Sequence, residues 1–329
     1  MTAVSSTPTS AEAPSLSSRV ALTVNPVFRK GILVATNNSV VRKTVRKHGM
    51  KLGASRFVAG ETLDECITVL RGLNAKGLRV NTTILGEGVN DAATASLVTD
   101  NYAEVLSRLV SEKINGNIAL KLTHLGLDLG EEIAYGNIER LVRLAADLGA
   151  FIRIDMEESA RVDVTLRLYK RLRDAGYSNV GTVLQAYLYR TQQDLTELLP
   201  YNPNLRLVKG AYLEPDSIAY PKKTDVDANY LRLADRMLDA GGFTAIATHD
   251  ERIINHVIDK TTNDGTSRDL FEFQMLYGIR TQYQLDLAAK GYRVLIATPY
   301  GPDWYYYLMR RLAERPANVL FFAKNMVRR

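Results

Sequence analysis

From Val80 to Ala297 the chain repeats one pattern: a short run of β-branched and aliphatic residues, usually followed by a longer stretch whose apolar residues recur at three and four. The short runs are Val80–Leu85, Asn117–Leu122, Phe151–Asp155, Thr182–Gln185, Leu205–Lys209, Phe243–Thr248, Leu270–Gln274 and Arg293–Ala297. Helical spacing predicts helices over Ile138–Leu148, Asp163–Ala175, Tyr230–Ala240 and Thr281–Lys290. Gly176, Gly241 and Gly291 follow three of these, where a left-handed C-cap is needed. Strand-then-helix repetition implies parallel strands joined by crossover helices. Eight such units without a linker predict an α/β protein closed into a (β/α)8, TIM-type barrel.

Length fits one such domain, expected over residues 20–329. Residues 1–19 read as a disordered tail, because nine of the first eighteen residues are Ser or Thr and no basic start precedes an apolar core. No apolar run approaches the eighteen residues of a spanning helix. The single cysteine, Cys66, excludes an internal disulfide, and no Cys/His spacing resembles a zinc site. The net charge of +6 is interspersed with acids and carries no recognition motif, so it reads as a solvated surface and gives no sign of nucleic-acid binding.

A barrel of this kind places its chemistry at the C-terminal ends of its strands. Those ends carry Lys121, Thr123, Asp155, Glu157, Gln185, Arg206, Lys209, His249 and Gln274. Any one of them could belong to an ion pair that merely closes the ring. Burying the whole set without a ligand is costly. A final helix is expected within Asp303–Arg315, with Tyr307, Arg310, Arg311 and Glu314 at i, i+3, i+4 and i+7, hence on one face. Paired arginines beside tyrosines suit the carboxylate of a small organic acid. The competing reading is a solvated basic stripe with an i,i+4 salt bridge. Gly86-Glu87-Gly88 lacks the third glycine of a dinucleotide fingerprint, and there is no P-loop, HExxH or GxSxG. Lys121 and Lys209 leave open a Schiff-base lyase.

LRLVKGAY (Leu205–Tyr212), TVLQAYLYRT (Thr182–Thr191), IATHD (Ile246–Asp250), FEFQMLYG (Phe271–Gly278) and YYYLMRRLAERP (Tyr305–Pro316) resemble the proline dehydrogenase family, of the monofunctional bacterial type. RFVAGET (Arg56–Thr62) and KLTHLGLDLG (Lys121–Gly130) agree. The resemblance implies an FAD-dependent barrel that oxidises proline or a related cyclic secondary amino acid to the cyclic imine. Hydride would pass to flavin N5 and electrons onward to a quinone. It implies a cytoplasmic protein, soluble or peripheral to the inner face of the membrane. It puts Arg206 beside flavin N5 and Gln185 at the ring edge, with Thr248 and His249 on the rest of the cofactor. Val208, Lys209, Gly210 and Ala211 would line it, with Glu314 in the surrounding shell. Tyr212 would face the substrate side, Lys121 would give electrostatic support, and Arg310, Arg311 and Tyr307 would hold the substrate. Two positions depart from the family pattern: Thr83 stands where an acid is usual and Ala297 where a tyrosine is usual. Both line the substrate pocket in the family, so hydroxyproline, pipecolate or piperazate is an alternative substrate. A flavin-binding protein without turnover is a further one.

Overall fold

The eight expected strands close a barrel. They are β1 (Arg79–Ile84), β2 (Gly116–Leu120), β3 (Ile152–Ile154), β4 (Val180–Gln185), β5 (Leu205–Val208), β6 (Thr244–Ala247), β7 (Phe271–Leu276) and β8 (Val294–Tyr300). Each pairs in parallel with the next, and β8 pairs with β1. Helix α1 (Leu63–Asn74) precedes β1. After the strands come α2 (Ala92–Ser111), α3 (Glu131–Asp147), α4 (Val162–Asp174), α5 (Thr191–Leu198), α6 (Lys223–Asp239), α7 (Glu251–Asn263), α8 (Thr281–Ala289) and α9 (Trp304–Glu314). The structure, a computed structural model, describes residues 53–86 and 88–314 and four isolated positions before them; for 310–314 it describes the helix and not the side chains. The expected tail, 1–19, lies outside the described residues. Ser55–Trp304, which holds the barrel and α1–α8, forms one compact unit; Met1–Ala54 and Tyr305–Arg329 fall into another.

The strands alternate two chemistries. Val80, Ile118, Ile152, Ile154, Leu205, Leu207, Ile246, Phe273 and Ile296 are buried among the residues of one continuous hydrophobic core. The helices contribute matching stripes, such as Cys66, Ile67, Leu70 and Leu73 of α1. Emptying one of these positions, as in Leu70→Ala, costs about 2–5 kcal/mol. A capping box starts α1: Thr62 Oγ1 accepts from Glu65 N, and Glu65 Oε2 accepts from Thr62 N. Gly176, Gly241 and Gly291 have φ of 90°, 74° and 80°, the left-handed conformation expected just past α4, α6 and α8.

The alternate strand positions face inward, and the polar ones among them, such as Arg79, Arg206, Glu272 and Gln274, lie beside apolar ones such as Val208, Ala245 and Leu295. Arg79 of β1 pairs with Glu272 of β7 at 2.9 Å, and Arg206 of β5 pairs with Asp155, just past β3, at 2.7 Å. Neither couple comes from adjacent strands, so each meets inside the barrel. The interior thus carries a column of hydrogen-bonded charges beside the aliphatic side chains usual in such barrels.

Candidate active site

Arg206 is the centre of the column. Its Nη1 donates to Asp155 Oδ1 at 2.7 Å and its Nε to Gln274 Oε1 at 2.5 Å. Gln274 Nε2 in turn donates to Glu272 Oε1 at 2.7 Å, and Arg79 holds the other oxygen of Glu272. Two edges of the guanidinium are therefore fixed, while Nη2 makes no hydrogen bond among the described residues. A planar cation so held is a preorganised donor.

Beside it, β2, β3 and β4 bring a second group together. Glu157, just past β3, is buried and accepts from the Thr123 amide at 3.1 Å and the Thr123 hydroxyl at 2.7 Å. Burial pushes its carboxyl above the ordinary carboxylate range, against those two hydrogen bonds and the positive charge of Lys121. Gln185 ends β4 with Nε2 on the Glu157 carbonyl at 2.9 Å. Lys121 is half-buried at the end of β2.

The ends of β5 and β6 are built differently. Lys209 turns to the carboxylates of Asp227 (2.6 Å) and Asp250 (3.0 Å), on α6 and at the N-cap of α7. Arg252, with Lys209 beside it, holds the Asp250 carboxyl well below its usual range. The Lys209 amine is thus engaged by two carboxylates, whereas a Schiff-base lysine needs its nitrogen free for a carbonyl carbon. The carbonyls of Val208 and Lys209 accept from the amides of Ala186 and Tyr187. Gly210 has φ of 120°, and a Cβ there would meet the Tyr187 ring at 2.1 Å, so its small size already serves Tyr187. Ala211 is exposed and Tyr212 half-buried. Thr248 Oγ1 accepts from the Asp250 amide at 3.1 Å. His249 Nε2 accepts from the Leu276 amide at 3.0 Å, so in the neutral ring the proton sits on Nδ1.

Thr83 and Ala297 lie on neighbouring strands, both half-buried, with Thr83 in register with Pro299 two residues beyond Ala297. The Thr83 hydroxyl is 3.3 Å from the phenol of Tyr102, which reaches in from α2 and donates to the Ile84 carbonyl at 3.4 Å. Arg310, Arg311 and Glu314 fall in α9 as expected, with Tyr307 in the same helix; the three side chains lie outside the described residues. So does Glu87 of the glycine-rich turn. Glu272 and Tyr102 join the site without being among the residues expected there. Glu272 shares a strand face with Gln274 and was legible by alternation; nothing in the sequence points Tyr102 at β1.

The Proline dehydrogenase family matches residues 66–324. The chain belongs to the proline dehydrogenase family. It is 40% identical over 303 residues to proline dehydrogenase 2 of Bacillus subtilis strain 168, covering 92% of this chain and all of that one. It is 41% identical over 309 residues to proline dehydrogenase of Deinococcus radiodurans, covering 93% and 99%. The fold matches crystal structures of proline utilization A (PutA). The one from Bdellovibrio bacteriovorus is 24% identical at a TM-score of 0.78; the match covers 88% of this chain and 36% of that longer one. A proline dehydrogenase relative is an oxidoreductase, which sets the lysine-dependent lyase aside in agreement with the pairing of Lys209. Among the described residues no helix is long and apolar enough to cross a membrane.

Proposed function

We propose that this protein is an FAD-dependent dehydrogenase that oxidises proline, or a close cyclic relative, to the cyclic imine and passes the electrons to a quinone-type acceptor. The observation that carries the reading is Arg206: an immobilised cation at the strand ends whose Nη2 makes no hydrogen bond among the described residues. With the Gln185 amide at the end of β4 and the His249 imidazole just past β6, it suits a ring system rich in carbonyl and imine acceptors. Gln185, Arg206, Val208, Lys209, Gly210, Ala211, Thr248, His249 and Glu314 would hold the flavin. When bound, that cofactor supplies the hydride acceptor. Arg206 presents fixed positive charge where negative charge accumulates on reduction. Lys121 adds charge of the same sign, and Tyr212 faces the substrate. Arg310 and Arg311 grip the substrate carboxylate, with Tyr307 beside them, and hold the reacting carbon in place. The substrate amine must be neutral before hydride leaves. Asp155 is committed to Arg206 and Glu157 to Thr123, so its proton goes to water.

The test is anaerobic bleaching of the bound flavin by a panel of cyclic amino acids. The purified protein should be yellow and release FAD on denaturation. A folded, colourless chain that takes up no added FAD sinks the reading.

Thr83 and Ala297 favour a second reading of the substrate. An acid and a phenol are replaced by a hydroxyl and a methyl on adjoining strands, which enlarges and neutralises that wall. Hydroxyproline, pipecolate or piperazate should then reduce the flavin at least as efficiently as proline. A preference for proline beyond about tenfold, roughly 1.4 kcal/mol, returns the assignment to proline itself.

A further inference from the structure

Gln274 sits between a cation and a carboxylate. Its Oε1 faces Arg206 Nε at 2.5 Å and its Nε2 faces Glu272 Oε1 at 2.7 Å. Turned end for end, the amide would set N–H against N–H on one side and oxygen against carboxylate on the other. Its two neighbours therefore admit a single orientation. Glu272 lies two residues earlier on the same strand face, only 2% exposed, and is itself held from its second oxygen by Arg79. Arg206 reaches Gln274 across β6, where its register partner is Ala245, and Ala245 is in register with Glu272. That methyl leaves room for the guanidinium to cross.

We propose that Glu272 is a positioning residue: it fixes the amide of Gln274, which holds Arg206 with its third nitrogen left for the ligand. The inference rests on the function proposed above, in which Arg206 serves the flavin. It differs in sign from plain electrostatics. Glu272→Gln deletes a negative charge from the column, and charge alone would then make a bound flavin easier to reduce. Loss of orientation loosens Arg206 and makes it harder to reduce.

The full-length, FAD-loaded protein is equilibrated against a reference dye. Gln274→Met should lower the reduction equilibrium about tenfold, about 30 mV for a two-electron couple. Glu272→Gln should lower it about threefold, about 14 mV on the same conversion. The double variant Glu272→Gln/Gln274→Met should match Gln274→Met alone, because both act through one contact. An unchanged or raised potential in Glu272→Gln, or additive effects, overturns the proposal. A second measurement needs no flavin. In the chain as purified, labelled with 15N-arginine, the Arg206 Nε–H signal (assigned by its loss in Arg206→Lys) should exchange slowly. Both single variants should speed it about tenfold, the scale of losing one hydrogen bond. The exchanged pair Glu272→Gln/Gln274→Glu gives Arg206 an acceptor with no orientation to choose and should restore slow exchange. Equal exchange in all forms, or no rescue, overturns the proposal. A colourless wild-type chain would defeat the functional reading alone, leaving exchange to judge Glu272.

Discussion

Two arginines enter the barrel from different strands and are treated in opposite ways. Arg153 of β3 crosses β4 at Gly181, where a Cβ would lie 2.5 Å from its Nη1, and donates to the carbonyls of Thr182 (3.0 Å) and Asn204 (2.6 Å). Among the described residues it has no carboxylate partner, and its Nε is buried without a hydrogen bond. Burial, with the like charge of Arg206, brings its pKa down to about 9, which still leaves it charged at neutral pH. Arg206 crosses β6 at Ala245 and ends between a carboxylate and an amide with a donor unspent. Neutral carbonyls around a sealed cation make a plug. A carboxylate and a fixed amide around a cation that keeps a free edge make a tool.

The largest effect should separate these two regions by stability. Arg153→Ala empties a sealed site and should cost about 3–5 kcal/mol in denaturant unfolding, with the folded fraction retaining its turnover. Arg153→Met refills most of that volume without charge and should recover much of the loss. If Arg153→Ala instead spares stability and removes turnover, the contrast with Arg206 collapses. Arg206→Met should slow flavin reduction about 100- to 1000-fold, the scale for deleting one preorganised donor, and leave the melting temperature within a few degrees. A collapse in stability there would make Arg206 a second plug.

Replacing Arg310 or Arg311 by Met should lower kcat/KM about 30- to 700-fold, equivalent to about 2–4 kcal/mol, with FAD still bound. Unchanged kinetics in both variants would reduce the pair to a surface stripe. Ala297→Tyr should shift preference toward proline by about tenfold, and no shift would remove that wall from the substrate pocket. The smallest effect concerns Glu157. Its pKa is raised by folding, so its ionised form weakens the native state above that pKa and the penalty disappears as pH falls through it. Glu157→Gln should therefore gain most on wild type at neutral and higher pH. That advantage should shrink toward the ordinary carboxylate range. A pH-independent difference in urea midpoint would show that the carboxyl does not titrate this way.

The strands were legible because each is short and largely apolar on its outer face, and because several of the helices between them end at a glycine, as α4, α6 and α8 do. Thr182–Gln185 and Leu205–Lys209 lie within two residues of β4 and β5. Asp155, Arg206 and Gln274 were legible as strand-end residues but not as one cluster. Their meeting depends on how three non-adjacent strands tilt across the lumen, which no local spacing encodes. Lys209 reads in sequence as a neighbour of the reactive positions, yet its ammonium turns outward to Asp227 and Asp250, as strand alternation from inward-facing Arg206 and Val208 would have it. The resemblance implies that Gly210 lines the cofactor, and the structure adds a demand of its own on that position, room for the Tyr187 ring. The arginine pair was legible only as a helix face; its side chains lie outside the described residues.

The circular order of the strands has an evolutionary consequence. Thr83 and Ala297 stand on β1 and β8, whereas Arg206, Gln274 and Glu272 stand on β5 and β7. Neither Thr83 nor Ala297 is a hydrogen-bond partner of those three, so on the reading proposed here selection can explore new substrates at these two positions while the redox apparatus, with Arg79 of β1 still holding Glu272, is inherited intact. Such a chain can diverge in diet without passing through a redox-dead ancestor.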